Sequence, residues 1–190
     1  MSSQPKTYMT TEEYLAIERQ AEYKSEYFGG EVFAMVGASR KHNLIATNIV
    51  TALGQQLKKK PCELYTSDMR VRVPATGLYT YPDVVVACGE PTFEDEHVDT
   101  LLNPTLIVEI LSTSTASYDR IKKFGYYRTV ESLSEYLLVA QDEYKLEQYV
   151  KQADGRWLLS DISSREAIVE LSSIQCRLAL DDVYDKIALP

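Results

Sequence analysis

The sequence lacks the segments that would place it in a membrane or send it out of the cell. No apolar run among its 190 residues approaches the roughly 20 residues that cross a bilayer. Residues 1–6 lack the charged-then-apolar pattern of a signal peptide. The cysteines are few and scattered, so we expect them to be reduced and to act as small apolar fillers: Cys62, Cys88 and Cys176. These absences predict a cytoplasmic protein without a membrane partner.

Positive charge is also scarce. The chain has 20 lysines and arginines against 28 aspartates and glutamates, and its formal net charge is −8. This balance argues against a sequence-independent nucleic-acid binder, whose surface is normally basic. It does not exclude a nuclease, because a local basic patch or bound metal ions can offset an acidic surface elsewhere. Part of the acid excess lies in a predicted loop over residues 90–99.

The motifs of several enzyme classes are missing. The sequence has no Gly-rich phosphate loop, no nucleophile elbow, no paired-cysteine motif and no His-Glu-x-x-His pattern. Its two histidines, His42 and His97, are far apart in the chain, and we expect His97 to be exposed in the acidic loop. A histidine-dependent triad or a zinc hydrolase therefore has few residues from which to be built.

Two carboxylates stand in apolar runs that are typical of buried strands. Asp83 lies in the run 81–87 and Glu109 in the run 105–112, and both runs are rich in β-branched residues. A carboxylate in such a place is costly unless it is paired, hydrogen-bonded or bound to a metal. Two of them on adjacent strands favour a divalent-cation site, and Mg²⁺ prefers oxygen ligands of this kind. The alternative for Asp83 is a residue at a strand start that accepts hydrogen bonds from backbone amides.

The remaining pattern predicts an α/β fold. Thr10 and Glu13 form a capping box for a helix that runs to about residue 20, and Gly29 and Gly30 form a hairpin turn. We expect a single domain over 1–190, with a core over about 10–143 and a C-terminal β extension over about 144–190. The other predicted elements are a helix over 39–60, strands over 62–66 and 69–74 that meet near residues 67–68, a helix over 117–129, a strand over 134–140, a hairpin over 147–151 and 156–160, weaker strands over 169–171 and 174–177, and a closing helix over 181–187.

A lysine can complete the acidic pair. On the helix predicted after the Glu109 run, Asp119, Lys123 and Tyr127 fall at i, i+4 and i+8, hence on one face. Lys123 can then point toward the carboxylates, where it would stabilise charge on a phosphate or orient a water molecule. The alternative is an ordinary solvated pair of Asp119 and Lys123.

Two further residues are candidates for supporting roles. Glu26 precedes the glycine turn and is either another acid of the site or a solvent-facing hairpin residue. His42, near the start of the long helix, is a candidate base, phosphate contact or capping group. Its neighbours Arg40 and Lys41 would add positive donors suited to a phosphate. We interpret Asp68 as an ordinary turn aspartate.

These segments together resemble the PD-(D/E)XK nuclease superfamily and, within it, the Uma-type restriction endonuclease family of bacteria. The resemblance spans about residues 10–148. Each motif is loose by itself, while their order and spacing are more specific. The matching text is Tyr81-Pro82-Asp83 with the valines that follow, Val108-Glu109-Ile110-Leu111-Ser112, Asp119-Arg120-x-x-Lys123-x-x-x-Tyr127, Ser134-Glu135-Tyr136, the hairpin from Glu26 to Glu31, and His42.

The resemblance implies a restriction-endonuclease-like fold, a mixed central sheet flanked by helices, with Mg²⁺ held by carboxylates at strand ends. By position, Asp83 matches the motif aspartate and Glu109 the motif acid. The superfamily pattern has a lysine two residues after that acid, where this chain has Leu111. The Uma-type pattern places the lysine on the following helix, which matches Lys123, and Lys122 is the alternative if that helix is rotated.

Two hypotheses of different class follow. The first is a Mg²⁺- or Mn²⁺-dependent endonuclease acting on nucleic acid, with DNA as the expected substrate. In it Asp83 and Glu109 bind the metal, Lys123 stabilises or positions, and Glu26 and His42 assist. The second is a non-catalytic nuclease-fold module that binds protein or nucleic acid, and the acidic charge favours it. Edge strands of the C-terminal hairpin also suggest a homodimer.

Overall fold

The computed structural model describes residues 8–112 and 115–189. It contains an α/β arrangement of three sheets and several helices. The helical elements are α1 (Thr11–Glu18), α2 (Arg40–Leu57), α3 (Ala116–Tyr118), a π-helical segment (Asp119–Lys123), α4 (Phe124–Tyr127) and α5 (Leu180–Val183). The strands are β1 (Ser25–Phe28), β2 (Glu31–Ala34), β3 (Cys62–Thr66), β4 (Arg70–Val73), β5 (Leu78–Thr80), β6 (Val84–Cys88), β7 (Thr100–Leu101), β8 (Leu106–Leu111), β9 (Glu135–Ala140), β10 (Leu146–Lys151), β11 (Trp157–Ile162), β12 (Ile168–Leu171) and β13 (Cys176–Ala179).

The two main packing layers of the fold are helix α2 and a six-stranded sheet. This central sheet has the order β11-β10-β9-β8-β6-β3, in which β8 and β9 are parallel and the other neighbours antiparallel. One face packs on α2, which buries apolar side chains spaced at the helical period: Ile45, Ile49, Leu53 and Leu57. The other face carries the helix over 116–127. The mixed sheet flanked by helices confirms the predicted fold class.

Alternation along β8 decides where its acid points. Leu106, Val108 and Ile110 belong to the core cluster that contains α2, whereas Ile107 and Leu111 belong to the cluster on the opposite face. Since side chains alternate along a strand, Glu109 points to the same face as Ile107 and Leu111. That face is the one covered by the helix over 116–127.

The local signals for helix starts and hairpins are confirmed. Thr10 caps α1 in a capping box with Glu13, and the Ser39 hydroxyl caps α2. The turn at 29–30 joins β1 to β2, and the turn at 154–155 lies between β10 and β11. Helices α1 and α2 end at Glu18 and Leu57, a few residues before the predicted ends.

The prediction for β3 and β4 was wrong in one respect. The two strands were expected to meet near residues 67–68, yet they lie in different sheets. Strand β3 pairs with β6 in the central sheet, while β4 belongs to a five-stranded sheet of order β2-β1-β5-β4-β7. The short turn between them passes the chain from one sheet to the other, because the pairing partner is chosen by distant residues and not by the local turn.

The C-terminal strands extend the core. Strand β10 pairs with β9, so the hairpin β10–β11 forms one edge of the central sheet. The separate pair β12–β13 buries Val169, Leu171 and Leu178 in the same core cluster as α2. The organisation as a single domain stays a prediction.

The expectation of three reduced cysteines is corrected by a disulfide between Cys62 and Cys88. These residues face each other across β3 and β6, with Cα atoms 4.0 Å apart. They are 26 residues apart in the chain, so only the register of the sheet reveals the pairing. The third cysteine, Cys176, is free and buried among apolar side chains, which confirms its predicted role as a filler.

Among the helices in the described residues, none has the length and apolar character needed to span a membrane.

Candidate functional site

The centre of the site is the buried ammonium of Lys123. Its Nζ lies 2.9 Å from Glu26 Oε1, 3.0 Å from Glu109 Oε1 and 3.8 Å from Asp119 Oδ1. We call these four residues the lysine cluster. They come from β1, β8 and the π-helical segment, so three distant parts of the chain meet at one point. The lysine side chain is 8% exposed and that of Glu109 is 6% exposed, which excludes an ordinary solvated pair.

Two hydroxyl groups donate hydrogen bonds to two acids of the lysine cluster, Glu109 and Glu26. Tyr127 OH donates to Glu109 Oε1 at 2.8 Å, and Thr80 Oγ1 donates to Glu26 Oε1 at 2.5 Å. The two hydroxyl oxygens lie 3.5 Å apart, and both side chains are fully buried. Each glutamate therefore meets one hydroxyl and the ammonium through the same carboxylate oxygen.

The lysine cluster contains more negative than positive groups. Burial raises the pKa of Glu109; the charge of Lys123 acts against this shift, while the negative charges of Asp83, Asp119 and Glu26 add to it. Burial also raises the pKa of Asp119. For Lys123 burial alone would lower the pKa, but the surrounding carboxylates raise it well above its ordinary value. The lysine is thus held as a cation among acids that it cannot fully neutralise.

Asp83 and His42 form a second pair beside the lysine cluster. His42 Nε2 lies 3.2 Å from Asp83 Oδ2, and the same oxygen accepts a hydrogen bond from the backbone N–H of Ile110 at 2.7 Å. Ile110 is the neighbour of Glu109, so this bond fixes Asp83 next to the buried acid. The backbone bond was the alternative role considered for Asp83, and the structure shows it together with the contact to His42.

Exposure indicates on which side the site opens. The side chains of Glu26, Asp83 and His42 are 14%, 15% and 17% exposed, about twice the values for Glu109 and Lys123. The Nδ1 atom of His42 is buried and has no hydrogen-bond partner among the residues that the structure describes. A small ligand would therefore reach the acids past Glu26, Asp83 and His42.

The lysine reaches this position through a π-helical turn. Residues Asp119–Lys123 form a π helix between α3 and α4, a rare geometry that is frequent at functional sites. The face shared by Asp119, Lys123 and Tyr127 was predicted from their spacing, and the π turn was not. Lys122, the alternative lysine, is exposed.

The other acids and histidine weighed in the sequence lie elsewhere. Asp68 is 86% exposed and pairs with Lys24 in its turn, and His97 is exposed in the loop after β6. Sequence reasoning missed Thr80 as a partner of Glu26. No local signal indicated it, since it depends on the pairing of Tyr27 with Tyr79, which places Glu26 opposite Thr80.

The carboxylates of the site are oxygen donors of the type that a divalent cation such as Mg²⁺ prefers. Within residues 8–112 and 115–189, no group of three or more histidine, cysteine, aspartate or glutamate side chains is arranged to hold a metal ion. A Mg²⁺ ion is commonly held by one or two carboxylates and several waters. The hard oxygen donors of Glu109, in a cluster whose acids outnumber its ammonium, and of Asp83 beside that cluster fit such an ion.

Comparison with known proteins identifies the family. The family model Uma2, described as "Putative restriction endonuclease", matches residues 11–181. This chain belongs to the Uma2 family. The match covers the whole lysine cluster and the pair formed by Asp83 and His42, and it confirms the resemblance inferred from the motifs.

The chain is also similar to two relatives and to a solved structure. Two uncharacterized proteins of Synechocystis sp. are 42% identical over 164 residues and 36% identical over 186 residues. The first match covers 86% of this chain and 93% of the relative, and the second covers 98% and 96%. A crystal structure from Anabaena variabilis, described as "a putative nuclease belonging to DUF820", has a TM-score of 0.76 at 20% identity. It covers 93% of this chain and 98% of that one, and shows that the two share a fold.

Proposed function

We propose that this chain is a divalent-metal-dependent endonuclease that hydrolyses phosphodiester bonds of DNA. The observation that carries the proposal is the buried lysine cluster beside Asp83, in which acids outnumber the single ammonium. Membership in the Uma2 family supports the reaction class, and the burial of Glu109 supports a cation ligand. Asp83 and Glu109 would hold Mg²⁺ or Mn²⁺.

Each remaining residue has a role in this proposal. A bound divalent cation would polarise the scissile phosphodiester and assist ionisation of the attacking water. Lys123 orients Glu109 through its 3.0 Å contact and adds positive potential for the charge that develops on the phosphate. Glu26 holds that ammonium from the other side. His42 would hold the Asp83 carboxylate in place through the 3.2 Å contact between its Nε2 and Asp83 Oδ2.

Calorimetric titration of Mg²⁺ and Mn²⁺ tests the metal site. Asp83→Asn and Glu109→Gln should each abolish binding, because each removes a charged ligand. Glu135→Gln is the matched control, since Glu135 is a fully buried strand glutamate that bonds Gln148 and Ser173 instead of the lysine cluster. Binding that persists unchanged in both ligand variants would contradict the proposal.

A cleavage assay separates the enzyme from the second candidate function, a non-catalytic nuclease-fold module that binds protein or nucleic acid. The net charge of −8 favours that candidate. Wild-type protein should nick or linearise plasmid DNA with Mn²⁺ present, and Glu109→Gln should not. Metal binding without cleavage of plasmid DNA, single-stranded DNA or RNA would instead favour the binding module.

The homodimer stays a prediction. Strand β11 forms an edge of the central sheet, and it exposes Leu158 and Leu159. An exposed apolar edge strand invites pairing with a second copy of the chain. Sedimentation equilibrium of the wild type and of a Leu158→Lys, Leu159→Lys double variant measures this directly.

A further inference from the structure

The strongest unassigned feature is a ring of contacts that closes around the lysine cluster. It runs from Lys123 to Glu26, from Glu26 to Thr80, across the two hydroxyl oxygens to Tyr127, and from Tyr127 to Glu109, which contacts Lys123 again. Every member is buried or nearly so. The hydroxyls come from β5 and α4, outside the segments that carry the acids.

The directions of the two hydroxyl protons determine which acid each hydroxyl group holds. A threonine or tyrosine hydroxyl has one proton to donate. Thr80 uses its proton on Glu26, and Tyr127 uses its proton on Glu109. The two hydroxyl oxygens lie 3.5 Å apart, and each hydroxyl group donates to a different glutamate. As a result, the two glutamates are fixed on either side of Lys123.

We propose that Thr80 and Tyr127 are positioning residues: Tyr127 orients Glu109 for cation binding, and Thr80 orients Glu26, which holds Lys123 beside Glu109. This inference rests on the proposed function, because the orientation matters for a site that uses those carboxylates. Groups that orient metal ligands through hydrogen bonds typically change metal affinity about 10- to 100-fold when they are removed. Neither Thr80 nor Tyr127 touches the metal or the substrate in this account.

The variants remove one hydroxyl at a time and keep the shape of the side chain. Thr80→Val and Tyr127→Phe delete the donors, and Thr80→Ser restores a hydroxyl at the same place. Thr100→Val is the matched control for the threonine, because Thr100 is equally buried in the same sheet and bonds Arg70 and Asp99. Tyr184→Phe is the control for the tyrosine, since its buried hydroxyl bonds Ala140 and Lys145.

Mn²⁺ affinity by calorimetry is the first measurement. Thr80→Val and Tyr127→Phe should bind Mn²⁺ about 10- to 100-fold more weakly than wild type. Thr80→Ser and both controls should bind as wild type does. A merely structural role would lower the melting temperature of the two variants and of the controls alike while leaving the affinity unchanged, and that result would overturn the proposal.

The NMR signal of the Lys123 ammonium is the second measurement, made without metal and assigned by its loss in Lys123→Met. Thr80→Val and Tyr127→Phe should shift this signal, Thr80→Ser should return it, and the controls should leave it unchanged. If wild-type protein binds no Mn²⁺, the proposed function fails, and the ammonium signal alone then decides the positioning role. An unshifted signal in both variants would overturn it.

Discussion

Two ion clusters in this molecule combine cationic side chains with carboxyl groups, and they differ in the ratio of positive to negative groups. The lysine cluster surrounds one ammonium with three carboxyl groups, whose side chains are only 6% to 14% exposed. The other, which we call the arginine cluster, consists of Arg19, Arg70, Asp95 and Asp99. In it Arg19 lies 2.7 Å from Asp95 and 2.8 Å from Asp99, and Arg70 lies 3.0 Å from Asp99. Positive and negative groups are equal in number there, and the two aspartates are about one-third exposed.

The acids of the two clusters shift in opposite directions. The hydrogen bond from Arg19 holds the pKa of Asp99 and of Asp95 below the ordinary aspartate range. Burial raises the pKa of Glu109 and of Asp119. The arginine cluster is therefore satisfied within the chain, whereas the lysine cluster would gain from an added cation. The comparison shows that a set of acids indicates a site when its charges are unbalanced and buried.

Removing the central cation of each cluster should have the largest effect. Lys123→Met leaves buried acids without their only cation and should lower the free energy of unfolding by roughly 3–5 kcal/mol. Arg19→Met acts on a more exposed pair and should cost roughly 1 kcal/mol. Guanidinium denaturation at pH 7 with EDTA measures both. A larger loss for Arg19→Met would contradict the contrast drawn between the clusters.

Removing a buried acid should have the opposite result, with the smaller loss of stability inside the lysine cluster and the larger one outside both clusters. Glu109→Gln takes away surplus negative charge and should cost less than about 1 kcal/mol or stabilise the metal-free protein. Glu135→Gln should cost about 1–3 kcal/mol, because Glu135 accepts hydrogen bonds from neutral donors that an amide satisfies less well. Urea unfolding of the three proteins compares these values. Glu109→Gln proving the more destabilising variant would show that the lysine cluster is satisfied without a metal.

The arginine cluster should also make the stability of the protein depend on pH, through Asp99. Because the folded-state pKa of Asp99 is depressed, its contribution is present above the ordinary aspartate pKa of 3.8 and is lost as pH falls through the lower folded value. Wild type should therefore exceed Asp99→Asn in stability at pH 7, and the gap should shrink below about pH 4. Unfolding midpoints from pH 7 down to pH 3 measure the gap. A gap that stays constant over this range would contradict the assigned shift.

Local chemistry explains which parts of this fold were predictable. The capping box of Thr10 and Glu13, the glycine turns and the apolar runs are signals within a few residues, and the structure shows each of them. The disulfide of Cys62 and Cys88 and the separation of β3 from β4 depend on which strands pair across the sheet. Patterns along the chain do not specify that pairing.

The features of the site can likewise be divided into those that the sequence indicates and those that only the structure shows. Glu109 was identifiable because apolar residues flank it, and Lys123 because its spacing from Asp119 places both on one helix face. The role of Thr80 was not identifiable, since it arises from the pairing of β1 with β5. The π-helical turn was also missed, because the spacing of Asp119, Lys123 and Tyr127 was interpreted as that of an α helix.

The smallest expected effect comes from the adjacent lysine. Lys122 is exposed, so Lys122→Met should change the free energy of unfolding by no more than about 0.5 kcal/mol. Mn²⁺ affinity should stay at the wild-type value, while Lys123→Met, with the same substitution one residue later, should lose stability and shift Mn²⁺ affinity, because it removes the ammonium between Glu26 and Glu109. Calorimetry and guanidinium denaturation of the two variants give the comparison. If Lys122→Met shifted Mn²⁺ affinity as strongly as Lys123→Met, the helix would present a different face to the acids than the one that places Lys123 between Glu26 and Glu109.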